Sequence, residues 1–168
     1  EDGDWAKHNQ VRTRNEFLDL VLMSGTSSNS VFGIKIMLNY FEESLSKLKE
    51  LPQYSSLEDS LIIGNLFPNV QYIWIVRRNK VRQAVSWAIA AQTGIYAKWQ
   101  EEFQEPLQEP VFDFDQIDHL HNLILEGEAG WQDFFETNQI EPFKVYFEDL
   151  VENFEGTGIE ILEYLSVS

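Results

Sequence analysis

Apolar positions recur along the chain at two different spacings, and the spacing changes from element to element. Over residues 6–23, Val11, Leu18, Val21 and Leu22 share one face at helical spacing, and Gly25 marks a stop. The polar stretch SGTSSNS (24–30) reads as a loop. VFGIKI (31–36) reads as a buried strand that leads into an amphipathic helix, MLNYFEESLSKLK (37–49). SSLEDSLIIGNLF then predicts a helix, with Ser55 or Ser56 as its cap and Glu58 and Asp59 in its first turn. Pro68 and Asn69 turn the chain into VQYIWIV (70–76), a continuous β-branched and aromatic run expected of a buried parallel strand. Asn79 stands where it can cap a helix running from Lys80 to Trp99. EEFQEPLQEPVFDFD (101–115) reads as an acidic, proline-marked loop. A long helix follows over 115–138, with Ile117, Leu120, Ile124, Trp131, Phe134 and Phe135 on its apolar side. FKVYFEDL (143–150) reads as a strand running into a last helix, IEILEYL.

Strands that alternate with helices predict an α/β fold, a parallel sheet with helices on both faces. Three strands are legible, few for a sheet whose edges need cover. The 168 residues are expected to form one domain, 1–168.

Composition narrows the chemistry. There is no cysteine, so neither a disulfide framework nor thiolate catalysis is available. With three scattered histidines a Cys/His zinc site is excluded, and no metal is expected. His119 and His121 lie two apart on one helix and so face different ways. No apolar run is long enough to span a bilayer and no signal peptide is visible, so no transmembrane segment is expected and the expected location is cytoplasmic.

Charge changes the picture most. The chain carries a formal net charge of −16, unevenly spread: residues 1–100 hold 10 acidic and 11 basic side chains, residues 101–168 hold 18 acidic side chains and Lys144 alone as a cation. A polyanion would have to meet the first hundred residues, and nonspecific nucleic-acid binding, which needs a broad basic face, is disfavoured. Yet Arg77, Arg78, Lys80 and Arg82 crowd into six positions directly behind the apolar run, in YIWIVRRNKVRQAVSW. In an open α/β sheet ligands bind beyond the carboxyl ends of the strands, where the next helix also offers its amides and positive dipole end. Arginine supplies a planar fork that binds two anionic oxygens at once. Arg78 and Ser86 are eight apart, so a hydroxyl two turns into the helix can point to the region of the loop guanidinium. The same residues have a plainer use: arginines behind a strand pair with carboxylates, and a helical serine bonds the carbonyl one turn back.

An apolar strand, Arg-Asn, and a Ser eight residues after the Arg resemble the 3′-phosphate-binding motif of PAPS-dependent sulfotransferases. GTSSNSVFGIKIMLNY, RRNKVRQAVSWAIAAQTGIY and IDHLHNLILEGEAGWQDFF are most similar to the bacterial trehalose 2-sulfotransferase branch, and VYFEDLVENFEGTGIEILEYLSV looks like the strand, acidic turn and helix near the end of many sulfotransferases. The resemblance covers residues 16–167. It implies a P-loop-NTPase-like three-layer domain that moves a sulfuryl group from PAPS to a hydroxyl of a sugar or glycolipid, trehalose-like, and leaves PAP. It also leaves room for a homodimer. By carry-over, Arg78 and Ser86 hold the 3′-phosphate; Arg77 beside them and Trp87, a stacking surface, are further cofactor candidates. Lys35, a lone charge in VFGIKI, either faces the donor sulfate or acceptor or snorkels to solvent. The family's 5′-phosphosulfate loop and the Glu proposed as its base are not found here, and both are expected ahead of Glu1, together with a further strand. The competing readings are a P-loop-type kinase or nucleotide-binding protein, whose GxxxxGK[ST] is absent from these residues, and a non-catalytic acidic interaction module.

Overall fold

Thr13 starts the first helix by a reciprocal exchange. Its hydroxyl accepts from the Glu16 amide at 3.2 Å, and the Glu16 carboxylate accepts from the Thr13 amide at 3.3 Å. This capping box satisfies amides that a helix start leaves without partners, and α1 runs Arg14–Gly25 behind it. The computed structural model describes residues 12–97 and 104–167, so residues 6–11 of the helix expected over 6–23 lie outside the described residues. The chain divides into two units, Glu1–Asn65 and Leu66–Ser168.

In the first unit, α2 (Leu38–Lys49) buries Phe41 and Leu45, as its helical spacing dictates. A chain of short turns over 50–57 leads to α3 (Asp59–Leu66), which buries Ile62 and Ile63. Neither Ser55 nor Ser56 caps it in the expected way: the Ser55 hydroxyl donates to the Pro52 carbonyl at 3.1 Å, and the Glu58 carbonyl takes the first helical amides, from Leu61 and Ile62. The strand expected over 31–36 does not form. One antiparallel bridge, Thr26 to Phe32, closes a tight turn in which the Ser27 amide donates to the Val31 carbonyl at 2.9 Å. A Cβ on Gly25 would strike the Phe32 ring, so a larger residue there would require that ring to shift. A strand needs a neighbour to satisfy its ladder, and among the described residues 33–36 have none. Lys35 therefore sits on an exposed, non-strand stretch rather than inside an apolar strand.

The second unit holds the sheet. β1 (Ile73–Val76) and β2 (Phe143–Tyr146) pair in parallel, Ile73 opposite Phe143 and Val76 opposite Tyr146. Of the three strands expected, these two form. Alternation sends Trp74 to one face and Phe143 to the other. On the first face Tyr72 and Trp74 meet the Phe135 ring of α5 (Phe114–Thr137) at centroid distances of 5.6 and 5.5 Å. On the second, Phe143 lies 5.0 Å from the Tyr164 ring of α7 (Phe154–Leu165). Helices thus cover both faces of a small parallel sheet, an α/β arrangement as the alternation of elements predicts.

Between β1 and α5 runs α4 (Lys80–Thr93), capped by Asn79, whose side chain accepts from the Arg82 amide at 2.8 Å. Ala84 and Ala88, one turn apart and fully buried, meet Leu120, Ile124 and Ile117 of α5. Small residues facing large ones let the two helix backbones approach. The helix expected to reach Trp99 stops at Thr93, because Gly94 takes a left-handed conformation (φ 73°) and returns its amide to the Ala90 carbonyl at 2.8 Å. Trp99 lies outside the described residues. The segment 104–113 is non-helical, as its prolines require, and is tied back to α4: the Leu107 amide donates to the Thr93 carbonyl, and Gln92 exchanges hydrogen bonds with both backbone groups of Val111. The strand expected over 143–150 is cut short at Tyr146 by α6 (Phe147–Glu152), whose first turn carries Glu148 and Asp149, where acids suit the positive end of a helix. Among the described residues no helix is long and apolar enough to cross a membrane.

Candidate functional site

β1 and β2 end level, Val76 opposite Tyr146, so the residues that follow each strand are delivered to the same edge. Arg77 and Arg78 leave β1 on opposite sides, and consecutive aromatics of the second chain segment receive them. The Arg77 guanidinium lies 3.8 Å from the Phe147 ring centroid, and that of Arg78 lies 4.0 Å from the Tyr146 ring. Arg78 is further held end-on by Asp149: Nη1 donates to Oδ1 at 2.6 Å and Nη2 to Oδ2 at 2.7 Å. Glu148 takes the main chain instead. Its two oxygens accept from the Arg78 amide at 3.1 and 3.0 Å, and one of them also accepts from the Asn79 amide at 3.3 Å.

Lys80 turns away, donating to the Arg77 carbonyl and to Glu128 of α5. The Arg82 side chain has no hydrogen bond or ion pair among the described residues. It stands one turn before Ser86 on α4, and both line an open cleft of about 350 Å³ with Val85, Ile89, Ile95 and Tyr96. Ser86 is exposed, two turns into the helix as expected, and does not spend its hydroxyl on the carbonyl one turn back; Thr93 does that, donating to the Ile89 carbonyl at 2.9 Å. Trp87, next to Ser86, is 36% exposed and is not part of the cleft lining. Trp131, by contrast, stacks on Phe135 at 5.5 Å in the core.

The structure places the expected residues beside groups that the sequence expectation left out. That expectation put Arg77, Arg78 and Ser86 beyond a strand end, where they are. It counted on the amides at the start of α4, and Glu148 and the Asn79 side chain already occupy those of Arg78, Asn79 and Arg82. Arg78 and Ser86 share no hydrogen bond, and Arg82 is the cation that stands beside Ser86 on the cleft. Glu148, Asp149 and the two aromatic platforms were missed. The sequence shows an acidic doublet behind a later strand, but only the pairing of β2 with β1 brings that doublet to the residues that follow β1. Among the described residues no group of acids and histidines is placed to hold a metal.

Hydrogen bonds set the charge states here. The Arg78 guanidinium holds the Asp149 carboxyl below its usual range, and the Arg78 amide does the same for Glu148. Asp149 in turn raises Arg78, which stays charged. Carboxyls lowered on folding bind fewer protons in the native state than in the unfolded chain, so their contribution is present above the ordinary carboxylate range. It is lost as pH falls through the lowered native values. Urea midpoints measured from neutral to acid pH should therefore fall more steeply for the wild type than for Glu148→Gln, and parallel curves would show that Glu148 carries no such linkage.

Fold and site together define an α/β protein that gathers arginines, each seated on an aromatic ring, at the carboxyl end of a parallel strand. The chain belongs to the Stf0 sulphotransferase family, whose model matches residues 1–167. That membership makes it a sulfotransferase. No curated protein matches the chain.

Proposed function

We propose that this chain forms one sulfotransferase domain, P-loop-like in fold, that transfers a sulfuryl group from PAPS to a hydroxyl of a small sugar or glycolipid acceptor in the cytoplasm. Family membership supports the reaction class, and the single observation that carries the donor is Arg78, a half-exposed guanidinium behind a parallel strand with an exposed Ser86 on the helix that follows. The residues fit an anionic group in part. Asp149 occupies two of the five N–H groups of the Arg78 fork, which leaves three for phosphate oxygens. The Ser86 hydroxyl is exposed toward the cleft, and Arg82 beside it adds a second positive charge. The amides of Arg78 and Asn79 are held by Glu148, so side chains rather than main chain would make the phosphate contacts.

Bound PAPS would supply the sulfuryl group and its phosphate leaving group. The contribution of Arg78 and Ser86 is to bind and orient the nucleotide remotely from the reacting end, so that binding energy at one end is used for alignment at the other. Arg77, on the opposite side of the sheet edge, and Trp87, outside the cleft, are weaker nucleotide contacts in this reading. Lys35 is proposed as a residue that faces the transferred group.

Calorimetric titration of PAP and of ADP into the protein tests the donor assignment. Both nucleotides carry two phosphates, one at 3′ and one at 5′ in PAP and both at 5′ in ADP, and PAP should bind about tenfold or more tightly, the return on one hydrogen-bonded charge pair. Equal affinities would sink the 3′-phosphate assignment and favour a nucleoside diphosphate instead.

A further inference from the structure

The contacts of Arg78 with Asp149 and Tyr146 concern a residue to which the proposed function gives a ligand, yet neither partner is part of that ligand's site. An exposed arginine explores many rotamers and must give them up when it binds. Arg78 has given them up already. Glu148 fixes its main chain, the Tyr146 ring covers one flat side of the guanidinium at 4.0 Å, and Asp149 takes the two terminal nitrogens end-on at 2.6 and 2.7 Å. An end-on carboxylate uses one N–H of each terminal nitrogen, so Nε–H and the outer N–H of a terminal nitrogen remain side by side in the guanidinium plane. That pair is itself a fork of the width a phosphate or carboxylate needs.

We propose that Asp149 is a positioning residue for phosphate recognition: it locks Arg78 against Tyr146 so that the unused side of the fork is presented to the nucleotide 3′-phosphate. The inference rests on the 3′-phosphate reading of Arg78 given above. Simple charge counting predicts the reverse, because a carboxylate beside a phosphate repels it and its removal should tighten binding. The two accounts therefore differ in sign, and the pair's own worth to stability cannot decide between them, since exposed ion pairs contribute little to folding.

The test titrates PAP and ADP into the wild type, Arg78→Ala, Asp149→Asn, Asp149→Glu and Tyr146→Leu. In Asp149→Asn the preference for PAP over ADP should fall about tenfold while ADP affinity and the melting temperature hold, and Asp149→Glu, which keeps the carboxylate, should recover most of the preference. If the wild type prefers PAP, Arg78→Ala loses that preference and Asp149→Asn keeps or strengthens it, Asp149 is a competitor or a bystander and the inference is overturned alone. A wild type without any preference overturns the 3′-phosphate reading and this inference with it. If Asp149→Asn loses ADP as well, its fold is lost and Tyr146→Leu decides: a reduced PAP preference supports positioning, and an unchanged one ends the proposal.

Discussion

Arg78→Ala should bind PAP about ten- to a hundredfold more weakly than the wild type, the usual cost of losing a hydrogen bond to a charged group. ADP affinity should hardly change. The substitution removes the side chain that reaches from the sheet edge to both Asp149 and Tyr146. It leaves the fold intact, because Asp149 is half-exposed and water can take over its oxygens. Isothermal calorimetry on both proteins gives the answer directly. Equal PAP affinities would mean that the guanidinium serves Asp149 alone and that the anion site lies elsewhere, with Arg82 and Ser86 on the α4 cleft the next place to look.

Phe135→Ala should have the largest effect on stability, about 3–5 kcal/mol, as for other buried phenylalanines cut back to a methyl group. Phe135 is 6% exposed and meets four rings, those of Tyr72, Trp74, Trp131 and Phe134, at centroid distances of 5.6, 5.5, 5.5 and 5.7 Å. It is where α5 grips the sheet, and rigid aromatic neighbours cannot collapse into the space left behind. Urea denaturation followed by tryptophan fluorescence measures the loss, since Trp74 and Trp131 both report on the cluster. A cost under about 1 kcal/mol would mean that the cluster rearranges and does not form a close-packed centre.

How much of this was legible in the sequence depends on how local the cause is. β1, α4 and α5 were found because an apolar run, an Asn cap and a helical stripe are short-range signals. The α/β class followed from their order. The stretch VFGIKI was misread because apolar composition shows that a segment prefers burial, and not whether a neighbour exists to pair with it. The helix from Lys80 was drawn too long because Gly94 was passed over as a stop. At the site, the sequence supplied Arg77, Arg78 and Ser86. It could not supply the grip of Asp149 and Glu148, which comes from residues about seventy positions away and depends on two strands ending level.

Arg77 and Arg78 look in the sequence like a doubled basic residue, a pair in which one could stand in for the other. Their seats on Phe147 and Tyr146 deny that. Each arginine leaves the strand on its own side, so the dipeptide holds no reserve copy. Loss of one cannot be covered by its neighbour, and deleting a single residue within β1 would turn each arginine to the other side while leaving the Arg-Arg pair itself unchanged.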